Sequence, residues 1–421
     1  MHRFEYRDGY LYCEGVRVED VARKVGTPFY LYSAGTIADH FLKLKKAFRP
    51  LSPLICYSMK ANSSLAVCRL LLGLGAGLDI VSGGELYRAQ RCGASSDKIV
   101  YASVGKTREE IARAIKAGIL FFNVESVPEL ELINEVACRF AAKVKVAVRI
   151  NPDIEPRTHR YITTGKLTNK FGIDLETAEF IFSMAGDFLH LDICGLHIHI
   201  GSQIVSSAPY VAAIKKVLSF VRRLQKKGVV LRYLNIGGGL GIIYDKETPQ
   251  TAAGFAEKII PLLRPSGLKI IIEPGRFIVG NAGILVSKVL FVKKTPLKNF
   301  IIVDAAMNDL LRPSLYGAYH NIIPLRHTRA AHGSEQRPRR ATRYDIVGPI
   351  CESGDFLAQD RIMPRVRPGD YLAVMSCGAY ARTMSSNYNS RPRPPEVMAE
   401  GNRFWIARRR ETYVDLLRNE R

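Results

Sequence analysis

Lys60 stands in Tyr57-Ser58-Met59-Lys60-Ala61-Asn62, between an apolar run, Leu54-Ile55-Cys56, and a segment of helical spacing from Ser63 to Leu72. A lysine at the end of a buried strand is costly, because charged groups avoid such positions. Desolvation makes a lysine lose its proton more readily, and the free amine is a nucleophile toward carbonyls, including an aldehyde cofactor. Taken alone, the stretch favours a plainer reading, a lysine with a buried stem whose ammonium snorkels to solvent. The other motifs reverse that balance.

Gly237-Gly238-Gly239-Leu240-Gly241 follows the apolar run Tyr233-Leu234-Asn235-Ile236. Consecutive glycines let backbone N–H groups converge on an anion without interference from a Cβ. The run is not a P-loop, since no Gly-Lys-Ser/Thr ends it. His197-Ile198-His199-Ile200-Gly201-Ser202-Gln203 puts two histidines at strand spacing on one face. Such a pair could hold a metal, but no third ligand of suitable spacing is evident. The alternatives are an imidazole stacked on an aromatic cofactor or a satisfied core histidine, and Ser202 could donate to a phosphate. In Glu273-Pro274-Gly275-Arg276 a buried carboxylate could keep a proton on a pyridine nitrogen. Arg276 could clamp a carboxylate or phosphate, and a mutual Glu–Arg ion pair is the alternative. Three later pieces stand out: Arg312-Pro313-Ser314-Leu315-Tyr316, Gly348-Pro349-Ile350-Cys351-Glu352-Ser353-Gly354-Asp355 and Gly378-Ala379-Tyr380. Cys351 beside Glu352 is balanced between a presented acid group and a core thiol.

The elements that must position these residues alternate. Strands are expected at Leu54–Tyr57, Leu78–Val81, Lys98–Ala102, Leu120–Val124, Val144–Ile150, Ile193–Ile200, Val230–Ile236 and Lys269–Glu273, with helices such as Arg108–Ala117, Val127–Phe140, Pro209–Lys227 and Thr251–Leu263 between them. Eight strand–helix repeats are what a parallel (β/α)8 barrel needs, whereas a doubly wound open sheet more usually has about six strands. The unusual polar residues fall in register at the strand ends: Lys60, Asp79, Arg149, His197 and His199, the glycine run, and Glu273 with Arg276. Barrel active sites sit at the C-terminal ends of strands, and the loops after the seventh and eighth commonly bind phosphate. Past residue 278 short β-rich runs follow, Ile284–Val292, Phe300–Val303, Asp345–Val347 and Tyr371–Val374, which read as a sandwich or small barrel. The early strands Tyr10-Leu11-Tyr12-Cys13 and Phe29-Tyr30-Leu31-Tyr32 are expected to join them. The fold expected is therefore α/β: N-terminal strands over 1–34, a (β/α)8 barrel over 35–277, and a C-terminal β domain over 278–421 that takes in the N-terminal strands.

The 421 residues are 47% apolar, enough for a sizeable core, and no apolar run approaches the roughly 18 residues of a membrane span. The start of the chain lacks the apolar core of a signal peptide. Eight cysteines are scattered without a Cys-x-x-Cys pair, which argues against a zinc site or disulfide framework and for a reduced, cytoplasmic setting. The net charge of +22 is partly concentrated at 326–343 and Arg408-Arg409-Arg410. No nucleic-acid motif accompanies it, so a solvated basic surface is expected rather than a nucleic-acid partner. The 326–343 stretch reads as a basic, mobile loop.

Together these motifs resemble the diaminopimelate decarboxylase family, pyridoxal 5'-phosphate (PLP) enzymes of the alanine racemase-like fold group. The resemblance covers nearly the whole chain. Tyr-Ser-Met-Lys-Ala-Asn, His-Ile-His-Ile-Gly-Ser-Gln, Gly-Gly-Gly, Glu-Pro-Gly-Arg and Cys-Glu-Ser-Gly-Asp occur in family order, and Thr158-His159, Thr164-Gly165 and Lys170-Phe171-Gly172 also look like the family. The resemblance implies that Lys60 carries PLP, that His199 stacks on its ring and that Glu273 pairs with the pyridine nitrogen. Ser202, Gly237, Gly238, Gly239 and the Glu273–Arg276 turn, with Gly275, would cradle the phosphate, with Tyr380 near. Asp79 and Arg149 would support the lysine and the ring. Arg276, Arg312 and Tyr316, with Tyr380, would hold substrate. Cys351 and Glu352 would come from the partner chain of a homodimer, Cys351 as proton donor and Glu352 as reader of the distal ammonium. The reaction implied is decarboxylation of meso-2,6-diaminopimelate to L-lysine, the last step of lysine biosynthesis, with no metal and no membrane partner. Related decarboxylases of ornithine usually carry Cys-Asp in the loop, so Cys351-Glu352 and the Arg312…Tyr316 pair favour a substrate with a second carboxylate.

Overall fold

Apolar runs buried on both faces are what parallel strands covered by helices require. In the computed structural model, which describes residues 2–154, 170–327 and 341–420, eight such strands close into a parallel barrel. They are Leu54–Ser58, Gly77–Ile80, Ile99–Ala102, Phe121–Val124, Val144–Arg149, Leu191–His197, Tyr233–Asn235 and Lys269–Ile272. They pair in chain order, and the eighth returns to the first through Ile271–Leu54 and Ile272–Ile55. All eight expected strands are present, with ends moved by a few residues. One shift matters: the sixth strand stops at His197, so His199 stands in the loop beyond it rather than in the ladder.

The helices between strands start where polar caps place them. Thr107 and Glu110 form a reciprocal capping box for Arg108–Ala117, which ends at a left-handed Gly118; Ser82, Ser126 and Asp174 cap three others. Each cap contributes about 1 kcal/mol. More comes from apolar stripes: Ala208–Lys226 buries Tyr210, Ile214, Val217, Val221 and Leu224 at helical spacing.

The chain divides into two compact units. The first, His40–Ile242 with Thr248–Phe277, is the barrel. The second comprises the residues up to Asp39, Ile243–Glu247 and Ile278–Arg421. Its centre is the long strand Gly283–Lys294, which pairs with Phe29–Ser33, Asn299–Val303 and Tyr371–Val374. The result is a branched nine-stranded sheet, the β domain expected after residue 278, with the early strand Phe29–Ser33 within it. A twelve-residue strand with a register shift between Val289 and Phe291 can serve two sets of neighbours, and no short-range pattern reports that. The strands Phe4–Arg7, Tyr10–Cys13 and Val16–Arg17 form a small antiparallel sheet of their own. Phe4, Leu11 and Val16 share one core with Phe29, Ile284, Val286 and Val397.

Sequence reading also missed the helix Val18–Val25, although Val18, Val21 and Ala22 are its buried stripe. It missed the strands Phe356–Met363, Glu396–Glu400 and Arg403–Arg408, whose Asp360, Arg361, Arg403 and Arg408 break the apolar signal. In the basic stretch, Arg326 donates to Tyr10 Oη at 2.7 Å, and Thr342–Val347 is a strand. Those ends are ordered structure and not the mobile loop expected; residues 328–340 lie outside the described residues, as do Thr158-His159 and Thr164-Gly165.

Candidate active site

Lys60 follows the first barrel strand in a single 3-10 turn, Met59–Ala61. Its Nζ lies 3.0 Å from Asp79 Oδ2, and its side chain is 36% exposed while that of Asp79 is fully buried. Ser58 Oγ donates to the same carboxylate oxygen. Burial and the charge of Glu273 push the Asp79 carboxyl up, while Lys60 and Ser58 pull the other way. The lysine thus emerges from the barrel end with its side chain partly exposed and its ammonium anchored by a carboxylate on the neighbouring strand.

Glu273, just past the eighth strand, is almost fully buried. Its Oε1 accepts from Asn235 Nδ2 at 2.5 Å and Asn123 Nδ2 at 3.2 Å, and its Oε2 lies 3.2 Å from His197 Nε2. Burial alone raises a carboxyl, but the pull of His197, of Lys60 and of the Asn235 amide outweighs it and holds Glu273 well below the usual carboxylate range. Glu273 is therefore an anion at neutral pH. Asn123 and Asn235 escaped sequence reading. The signal was present: each is a polar residue inside an apolar run, Phe121-Phe122-Asn123-Val124 and Tyr233-Leu234-Asn235-Ile236, and a fully buried amide needs a partner.

Three turns meet around the glycine run. A Cβ on Gly238 would fall 1.9 Å from the Glu273 carbonyl oxygen, and Gly239, at φ 105°, would place one 2.2 Å from the Gly201 carbonyl oxygen. Only glycine lets these backbones close on one another. Arg276 Nη2 donates to Ser202 Oγ at 3.0 Å in the same cluster. Glu273 and Arg276 thus turn to different partners, unlike the mutual ion pair weighed from sequence.

His199 Nδ1 accepts the Gly238 N–H at 3.2 Å, so the neutral ring carries its proton on Nε2. Burial, then the charges of Lys60 and Arg149, push its pKa well below 6.5. The unfolded chain binds this proton near pH 6.5 and the folded chain only at lower pH. Stability is therefore lost as pH falls below about 6.5, by up to about 1.4 kcal/mol per pH unit from this group. Urea midpoints of the cofactor-free protein at pH 7.5 and 5.5 are expected to fall further apart in the wild type than in His199→Asn. An equal drop in both would show that His199 does not stay neutral.

Arg149, ending the fifth strand, donates to Glu125 Oε1 at 2.6 Å with both side chains buried. Its guanidinium sits 4.9 Å over the Phe171 ring. Glu125 takes the Gly172 N–H at 3.1 Å and gives its own N–H to Glu129 Oε2 at 2.7 Å. Glu129 in turn receives Lys106 Nζ at 2.5 Å, and Lys106 also donates to the carbonyls of Ser103 and Asn123. Lys106 is fully buried, and burial lowers its pKa while Glu129 opposes the shift. Lys106→Met would leave Glu129 buried without its cation and is expected to cost about 3–5 kcal/mol, seen as a lower urea midpoint. An unchanged midpoint would show that the pair carries no such burden.

The second unit holds the remaining candidates. Arg312 and Tyr316 bound one short helix. Arg312 Nη1 donates to Tyr244 Oη at 2.6 Å. Cys351 and Glu352 are exposed on a loop pinned by Asp355, whose carboxylate takes the N–H groups of Met307 and Ile350, both at 2.7 Å. Cys351 is thus an exposed thiol and not a core one. Glu352 Oε2 accepts from Tyr388 Oη at 2.7 Å. Tyr380 has a left-handed backbone, φ 55°.

Residues 34–280 match the family model described as "Pyridoxal-dependent decarboxylase, pyridoxal binding domain". The chain is 49% identical to the diaminopimelate decarboxylase of Aquifex aeolicus over 97% of its own length and 95% of that protein. The crystal structure of diaminopimelate decarboxylase from Helicobacter pylori, complexed with L-lysine, is 41% identical, with a TM-score of 0.90 over 96% of this chain and 99% of that one. The enzyme from M. jannaschii, also in complex with L-lysine, is 38% identical, with a TM-score of 0.92 over 99% and 97%. With a lysine, a buried carboxylate and a glycine cluster gathered at one end of its barrel, the chain belongs to the diaminopimelate decarboxylase family of pyridoxal-dependent decarboxylases.

Proposed function

We propose that the protein removes carbon dioxide from meso-2,6-diaminopimelate to give L-lysine, the last step of lysine biosynthesis, using PLP held on Lys60. The observation that carries this reading is the donor set at the C-terminal end of the barrel. A half-exposed lysine suits an aldehyde, a buried anionic Glu273 suits a pyridine nitrogen, and Arg276, Ser202 and closely packed glycines suit a phosphate. These are the three functional ends of PLP, so the residues fit the group.

When bound, PLP supplies an electron sink for the charge left at the substrate Cα as carbon dioxide departs. Lys60 would anchor the cofactor, and Asp79 steadies the free Lys60 ammonium at 3.0 Å. Glu273 would hold a proton on the ring nitrogen, because its own charge is locked in by His197, Asn123 and Asn235. The flat, neutral His199 would lie against the ring, with Arg149 in support. Gly237, Gly238, Gly239, Gly275, Ser202 and Arg276 would hold the phosphate. Arg276, Arg312, Tyr316 and Tyr380 orient the substrate, supplying proximity and charge complementarity. Cys351 returns the proton to Cα and Glu352 receives the distal ammonium. Both act from the partner chain of a homodimer, a reading supported by their exposure on a pinned loop. The setting proposed is the cytoplasm, in line with the scattered cysteines; among the described residues no helix is long and apolar enough to cross a membrane.

Purified protein with PLP, offered meso-diaminopimelate, ornithine, arginine and lysine in parallel, is expected to release carbon dioxide from the first alone, with L-lysine in equal amount. Release mainly from ornithine or arginine would overturn the substrate assignment while leaving the cofactor site intact.

A further inference from the structure

Arg312 is buried in the second unit, and its guanidinium is held from two sides. Nη1 donates to Tyr244 Oη at 2.6 Å and lies 3.3 Å from His320 Nε2, and the guanidinium carbon is 4.7 Å from the centre of the Tyr244 ring. His320 is fully buried. Its Nδ1 lies 2.8 Å from the Met375 carbonyl oxygen. A carbonyl only accepts, so Nδ1 carries the proton; the neutral ring then offers Nε2 as an acceptor to a guanidinium that only donates. The tautomer that fits Met375 is thus the one that fits Arg312.

The ring has little freedom to turn away. The Tyr244 ring packs edge-on against it at 5.3 Å. The His320 carbonyl accepts from Arg361 Nη2 at 3.2 Å, and Arg361 sits 3.4 Å over the neighbouring Tyr319 ring. Cys377 Sγ lies 3.8 Å from Nδ1. Burial pushes that thiol up to about 12, so it brings no charge to the ring.

We propose that His320 and Tyr244 are positioning residues that hold Arg312 in the conformation that takes a substrate carboxylate. The inference rests on the substrate role given to Arg312 above. Neither residue needs to touch substrate: both commit one guanidinium nitrogen and thereby fix the plane of the fork. An arginine left to search its rotamers loses affinity before it loses chemistry, so the effect belongs in KM.

The test is steady-state kinetics of the holoenzyme with meso-diaminopimelate. His320→Asn keeps an amide donor near the Met375 carbonyl and removes the acceptor at Arg312. It is expected to raise KM about 10-fold with kcat within about 2-fold, the scale of one hydrogen bond to a charged group. His320→Gln, whose amide oxygen reaches toward the Nε2 position, is expected to restore most of the loss. Tyr244→Phe removes only an oxygen and is expected to raise KM about 3-fold to 5-fold. In an Arg312→Ala background, neither His320→Asn nor Tyr244→Phe should raise KM further, because coupled residues are not additive. A full extra increment in that background, or a fall in kcat with KM unchanged, would overturn the positioning role. Arg312→Ala with an unchanged KM would instead overturn the substrate role of Arg312. Should His320→Asn fail to fold, the Tyr244→Phe cycle decides by the same criteria.

Discussion

Lys60→Ala is expected to lower turnover by about 10,000-fold or more, the scale of removing a covalent nucleophile, and to abolish the visible absorbance of the lysine-bound cofactor. The fold should survive. The lysine side chain is 36% exposed and makes its ion pair at the barrel mouth, so its removal opens no cavity in the core. Its loss does leave Asp79 buried beside Glu273 without a cation, and burial and the Glu273 charge already push the Asp79 carboxyl up. Asp79 is then expected to take up a proton rather than unfold the barrel. Thermal melting within a few degrees of wild type alongside lost turnover would match this account. Turnover within 10-fold of wild type would mean that another group holds the cofactor.

Glu273→Gln is expected to lower kcat by about 100-fold to 1,000-fold, the range for removing a preorganised charge partner, while the protein still binds PLP. Two effects act together. The neutral amide cannot hold a proton on a ring nitrogen. Its amide oxygen can keep the Asn123 and Asn235 donors at the Oε1 position, but its NH2 group then replaces Oε2, so the His197 ring 3.2 Å away no longer faces an anion. Glu273→Asp keeps the charge but draws it back from both amides and should fall between the two. Wild-type kcat in Glu273→Gln would remove the carboxylate from the chemistry. Because Glu273 is held well below the usual carboxylate range, the wild-type profile should show no acid limb from this group near neutral pH.

The barrel was legible because its strands are short apolar runs, several of which end in or just before a residue that does not belong in one. Lys60, Arg149 and Glu273 announced themselves in that way. What holds them did not. The carboxylate of Glu273 answers to Asn123 and Asn235, far away in sequence, and each looks by itself like a minor flaw in an apolar run. Lys106 lies three buried links from Arg149, through Glu129 and Glu125, and no spacing rule connects Gly105-Lys106-Thr107 to a barrel mouth. The two histidines were read as neighbours on one strand face. The strand ends at His197, so one ring braces Glu273 and the other meets the glycine run. In the second unit, strand order follows from the register of Gly283–Lys294 with three partners, and alternation within a strand carries no record of which partners it has.

The central claim is that Lys60, at the end of the first barrel strand, is the residue that carries PLP. Borohydride reduction of the PLP-loaded protein fixes the lysine–cofactor bond, and peptide mass mapping then finds it. The account predicts one modified peptide, the one containing Tyr57-Ser58-Met59-Lys60-Ala61-Asn62, with its label lost in Lys60→Ala. A label on any other lysine, Lys106 included, would contradict it.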